Sequence, residues 1–93
     1  MIKKGYILIC KLDFRNRNNK KIEFIKDELY VVTRPDHCTR NEKCIGVVGK
    51  AFYYESFRSR VTQTMNLTIS YKEYDDMFET KQNRIRRIAK SFL

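Results

Sequence analysis

The 93 residues carry 20 Lys and Arg against 11 Asp and Glu, a formal net charge of +9, with 42% apolar and 13% aromatic residues. A chain of this length builds one domain whose core needs neither disulfides nor a metal. It contains no apolar run long enough to cross a bilayer, and Met1-Ile2-Lys3-Lys4 opens no secretory signal pattern, so the expected compartment is the cytoplasm.

Tyr6, Leu8, Cys10, Leu12 and Phe14 alternate with Lys11 and Asp13, which predicts a half-buried strand over Tyr6–Phe14. Arg15-Asn16-Arg17-Asn18-Asn19-Lys20-Lys21 has turn chemistry and four positive charges, and reads as an exposed hairpin tip. Ile22 to Ile25 returns as a second strand, with Ile22 and Phe24 inward. After a turn at Lys26-Asp27-Glu28, Leu29 to Thr33 forms a third, ended by Arg34-Pro35-Asp36 because proline cannot donate to a ladder. No period survives from His37 to Lys43, which predicts a loop.

Cys44 to Val48 predicts a fourth strand closed by Gly49. Lys50 to Arg60 fits either a strand or a helix start; four aromatics in Ala51–Phe57 favour the strand. Val61, Gln63, Met65, Leu67 and Ile69 then alternate with Thr62, Thr64, Asn66 and Thr68 in the clearest strand of the chain. Ser70-Tyr71-Lys72-Glu73 is a capping box that opens a helix over residues 71–91. Tyr74, Met77, Phe78, Ile85, Ile88, Ala89 and Phe92 make its apolar stripe, interrupted by Lys81, with Gln82-Asn83 as the expected point of any break.

These elements predict an α+β, mainly β fold: a five- or six-stranded antiparallel sheet curled toward a barrel, of SH3-like or OB-like size, with one C-terminal amphipathic helix. Residues 1–69 supply the sheet and 70–93 the helix of a single domain.

Three constellations bear on chemistry. Cys10, Cys38 and Cys44 are an odd number, which suits reduced thiols. His37-Cys38 and Cys44, with Cys10, offer zinc-ligand types at a spacing wider than compact zinc sites use, so no metal and no cofactor are expected. His37 with Arg34 or Arg40 and Asp36 or Glu42 offers a ribonuclease-like set, but a single His supplies no second acid or base, and the expectation is a non-enzyme. Lys50 to Arg60 interleaves rings with cations, as single-strand-binding surfaces do.

Basic residues outnumber acidic ones eight to four over residues 1–30, six to three over 31–60 and six to four over 61–93. A positive balance spread along the whole chain points to nucleic acid or an acidic protein surface as partner. The leading expectation is a non-enzymatic protein that binds RNA or single strands. Arg15, Arg17, Lys20, Lys21, Lys50, Arg58, Arg60, Arg84, Arg86 and Arg87 would hold phosphates, and Tyr53 and Tyr54 would offer stacking faces. Arg84 to Lys90 has no acidic residue three or four positions away, so the helix end and the Arg15–Lys21 tip are expected to act as one surface. The alternative is a regulator or inhibitor that docks a basic face on an acidic host protein or toxin–RNA assembly. In composition alone, the Lys-, Asn- and Ile-rich usage resembles that of small accessory proteins of AT-rich phages.

Overall fold

The computed structural model describes residues 2–38 and 43–91, without the side chains of His37 and Cys38. Seven strands and two helices follow in order: β1 (Ile7–Cys10), β2 (Phe14–Arg15), β3 (Ile22–Phe24), β4 (Leu29–Cys38), β5 (Lys43–Ser56), β6 (Ser59–Ser70), α1 (Tyr71–Met77), β7 (Phe78–Thr80) and α2 (Lys81–Ser91). All pairings are antiparallel, as expected for a mainly β chain with short connections. The sheet has seven strands rather than five or six, and it does not close into a barrel. Among the described residues no helix is long and apolar enough to cross a membrane.

β5 is the spine. One edge pairs with β6 along its length, from Cys44 opposite Ser70 to Ser56 opposite Ser59. The other edge changes partner midway: Lys43 to Gly49 pair with β4, and Ala51 to Tyr53 pair with β3. From β4 the sheet continues through β1 to β7, and from β3 to β2. Both wings fold over one core, built on Leu8, Cys10, Phe24, Tyr30, Val32, Ile45, Val47, Ala51, Ile69 and Phe78. Phe14, Phe24, Tyr30 and Phe78 meet there at ring-centroid distances of 4.8–5.7 Å, mostly edge to face.

Gly49 does not end its strand. A side chain there would put Cβ 2.5 Å from the Tyr30 ring and 2.7 Å from the Leu29 carbonyl, so glycine is what lets the ring cross the sheet. Pro35 does not end β4 either. It falls in a register irregularity between Arg34 and His37, where its missing N–H costs no ladder bond, and β4 runs on to Cys38. His37 and Cys38 thus belong to a strand rather than a loop, and Thr39 to Glu42 lie outside the described residues.

The first strand is shorter than its alternation suggests. It stops at Cys10, Leu12 is 44% exposed, and the chain turns before Phe14 resumes pairing. The bonds of the turn explain it: Lys11 N–H donates to the Met77 carbonyl at 2.8 Å, and Asp27 N–H donates to the Cys10 carbonyl at 2.8 Å.

At the C-terminus the capping box forms as read. Ser70 accepts from Glu73 N–H at 3.0 Å, and the Glu73 carboxylate accepts from Ser70 N–H at 2.9 Å. The single long helix does not form. It breaks at Phe78–Thr80, earlier than Gln82-Asn83, into α1, a strand and α2. The strand places Phe78 opposite Cys10, satisfies the backbone of β1 and buries the ring among three other aromatics. A continuous helix would leave that edge of β1 unpaired. Thr80 then caps α2, accepting from Asn83 N–H at 3.1 Å. Tyr74 and Met77 pack on the core as expected, whereas Ile85 and Ile88 stay about half exposed. Phe92 lies outside the described residues.

Candidate nucleic-acid interface

The pairing of β5 with β6 sorts their side chains. The odd-numbered Ile45, Val47, Ala51, Tyr53, Met65, Leu67 and Ile69 take the core side, and the even-numbered residues from Lys50 to Tyr54 and from Arg60 to Asn66 take the opposite side. Phe52 and Tyr54 therefore stand on the outer face, beside Lys50, Arg60, Thr62 and Thr64. β3 adds Glu23 opposite Phe52, and β2 adds Arg15 opposite Glu23. Four strands thus bring cations and rings from widely separated stretches of sequence onto one surface.

The rings and guanidinium groups are layered. The Arg15 guanidinium lies 3.7 Å over the Tyr54 ring, and that of Arg60 lies 3.9 Å over Phe52. Arg15 is fixed by donating to the Lys20 carbonyl at 2.8 Å. Glu23 organises the rest: its carboxylate accepts from the Tyr54 hydroxyl at 2.8 Å and pairs with Arg60 at 3.5 Å. Each guanidinium lies over a ring while its residue stays exposed. A planar cation held this way can stack on a base while its N–H groups reach a phosphate.

Past these layers the β5–β6 ribbon ends in the two-residue turn Phe57-Arg58. Phe57 is 86% exposed, the most exposed large apolar side chain among the described residues, and the Arg58 guanidinium lies 5.4 Å from its ring centroid. Phe57 belongs to the aromatic segment Ala51–Phe57 but not to the expected stacking pair Tyr53 and Tyr54. Its neighbours in a turn of polar and charged residues were the available signal.

The structure brings Arg15, Lys50, Tyr54, Arg58 and Arg60 to this ribbon, with Lys20 and Lys21 exposed at its side, where the Lys21 carbonyl accepts from Tyr54 N–H at 2.8 Å. Tyr53 is not among them. It faces the core and packs against it, because the strand places Tyr54 and not Tyr53 on the outer side. Arg17 turns away, its N–H donating to the Glu73 carboxylate at 3.1 Å.

The hairpin tip is not wholly exposed. Asn16 is buried, accepting from the N–H groups of Asn18 and Asn19 and donating to the Thr68 carbonyl at 2.8 Å. The tip therefore packs on β6 and α1. Arg84 and Arg87 are engaged elsewhere, on β7: Glu79 sits 2.5 Å from Arg84 and 3.2 Å from Arg87, and Asp27 sits 3.6 Å from Arg84. Glu79 lies outside α2, at a separation no helical spacing rule inspects. Arg86 is exposed on the same helix.

For the other constellations, Cys10 and Cys44 are buried, and burial pushes the Cys10 thiol up to about 11. Among the described residues no three His, Cys, Asp or Glu groups are placed so that they could hold a metal ion. Arg34 lies across Gly46, within 2.9 Å of where a Cβ would stand, and Asp36 lines a shallow groove with Tyr71 and Asp75. The chain matches no protein-family model, no curated protein and no solved structure.

Proposed function

We propose that this protein binds RNA or single-stranded nucleic acid without catalysing a reaction, using the outer face and tip of the β5–β6 ribbon. The observation that carries the reading is the layered pair Arg15 on Tyr54 and Arg60 on Phe52. Bases stack on the guanidinium planes and on the bare Phe57 ring, while Lys50, Arg58, Lys20 and Lys21 follow the phosphates. Such a surface reads π-faces and charge rather than base edges, so binding is tolerant of sequence. The engagement of Arg84 and Arg87 by Glu79 favours the ribbon over the helix end as the primary contact.

The test is titration of labelled single-stranded RNA, single-stranded DNA and duplex with nuclease-treated protein at several salt concentrations. The expected result is binding of single strands above duplex, weakening steeply with salt, by roughly 0.7 of logarithmic slope per phosphate contact. Absence of binding to every probe, with capture of an acidic protein from nuclease-treated lysate, moves the regulator reading ahead.

A further inference from the structure

The sheet has several edges, and all but one are blunted. The β2 edge is two residues long and the β7 edge three. The edge of β4 beyond Val32 carries Pro35 and two register irregularities. The outer edge of β6 has none of these protections. Among the described residues it pairs only with β5, and its register is regular from Arg60 to Ser70. In a chain with 33% charged residues, Val61 to Ser70 contains no charge, no proline and no glycine. Proteins usually guard a free edge with such residues, since its unpaired N–H and C=O groups are a template for another strand.

The direction of those groups follows from two bonds. Tyr54 N–H donates to Lys21, away from β6, so the even-numbered residues of β5 and, opposite them, of β6 point their backbone groups away from the β5–β6 seam. Thr68 agrees, its carbonyl accepting outward from Asn16. Among the described residues the outward groups of Arg60, Thr62, Thr64 and Asn66 form an open row. Asn16 bounds it at Thr68, and the turn bounds it at Ser59.

We propose that this row pairs with the same row of a second copy, antiparallel about a two-fold axis at Gln63. That register keeps each face with its like. Thr62 stands opposite the copy's Thr64, Arg60 opposite its Asn66, and Val61 opposite its Met65, both of which are half-buried. The four outward residues of each chain then exchange about eight backbone hydrogen bonds. Charge selects the occupant: two chains of net charge +9 repel except along a contact of low charge, and in this row the only charged residue is Arg60, set at each end opposite a neutral Asn66. The two-fold axis runs normal to the sheet, so the contact closes on itself and stops at a dimer. Both outer faces come to the same side, with the two Arg60 residues roughly 20 Å apart along the strands. The inference stands independently of what those faces bind.

The experiment is sedimentation of nuclease-treated full-length protein across the micromolar range, together with cross-linking by a single introduced thiol. The expected mass is that of two chains. Thr62→Lys with Thr64→Lys sets ammonium groups opposite one another across the axis and should give a monomer with an unchanged circular dichroism spectrum. Gln63→Cys places thiols at a non-hydrogen-bonded pair with Cα atoms about 4.5 Å apart, within disulfide reach, and mild oxidation should link the dimer covalently. Thr64→Cys should not link, and neither should the unaltered chain. A monomeric wild type overturns the proposal, as does a dimer unmoved by the double substitution, or a folded dimer in which Gln63→Cys fails to cross-link. Should the lysine variant not fold, the thiol pair alone decides.

Discussion

The Tyr30 hydroxyl donates to the Lys50 carbonyl and accepts from Ile25 N–H at 3.1 Å. Lys50 is the residue at which the edge of β5 passes from β4 to β3, so no ladder partner stands there, and one buried hydroxyl fills the gap. Removing it leaves the Lys50 carbonyl and the Ile25 N–H without this partner, both at the end of a fully buried side chain. Tyr30→Phe should therefore cost about 1–3 kcal/mol of stability by denaturant melting, although it deletes a single oxygen. Gly49→Ala drives a methyl group into the same ring and should cost about 1–3 kcal/mol.

Alkaline pH should destabilise the fold. Burial pushes the Cys10 thiol from 9.0 up to about 11 and pushes the Tyr30 hydroxyl up as well, from 10.0. Both are neutral when protonated, and the folded state holds their protons more tightly than the unfolded chain does. Their contribution is full below pH 9 and is lost as the pH rises through the folded values. Melting temperature should fall above pH 9, and native Cys10 should resist thiol reagents at neutral pH until the protein is unfolded.

Phe78 and Ile88 fall in one apolar stripe of the expected helix, and the structure separates them. Phe78→Ala empties a ring site that is 4% exposed and should cost about 3–5 kcal/mol. Ile88 is 49% exposed on α2, and Ile88→Ala should cost less than about 1 kcal/mol. Equal melting shifts for the two variants would argue for the uninterrupted helix.

For the ribbon, Arg60→Lys separates charge from shape. It keeps the cation but loses the plane lying on Phe52, so single-strand affinity should fall nearly as far as in Arg60→Ala, with the salt slope almost unchanged. Phe57→Ala should weaken binding by about 1–3 kcal/mol with no loss of stability. Reversing Arg84 to Glu should instead act on the fold, since it sets a carboxylate against Glu79 and Asp27. Glu79→Gln provides the counter-test: if it raises affinity for single strands, the helix end becomes part of the interface once released.

Local rules reached what local forces decide. The capping box at Ser70 and Glu73, the alternation of Val61 to Ile69 and the core faces of Ile22 and Phe24 are each set within a few residues, and they were legible. The break at Phe78 was not, because its cause is the open edge of β1, which pairs Phe78 with Cys10 from the far end of the sequence. Gly49 and Pro35 read as stop signals, yet one admits the Tyr30 ring and the other sits in a bulge. Neither neighbour is visible in the local sequence. At the site, composition found the segment and its cations. Which of Tyr53 and Tyr54 faces outward depends on strand phase, and the partners of Arg84 and Arg87 lie beyond any helical spacing.

The partner change along β5 also orders the events of folding. Its pairing with β6 closes across the two-residue turn, so the ribbon forms with little loop entropy to overcome. The β1–β7 seam joins Leu8 to Thr80, near the two ends of the described chain, and must wait for the elements between them. Amide hydrogens should record this sequence. In pulsed exchange during refolding, Ala51 and Tyr53 should be protected early, and the Lys11 amide, held by the Met77 carbonyl, late. In the native state the same seam should open first, carrying α2 with it while the ribbon stays closed.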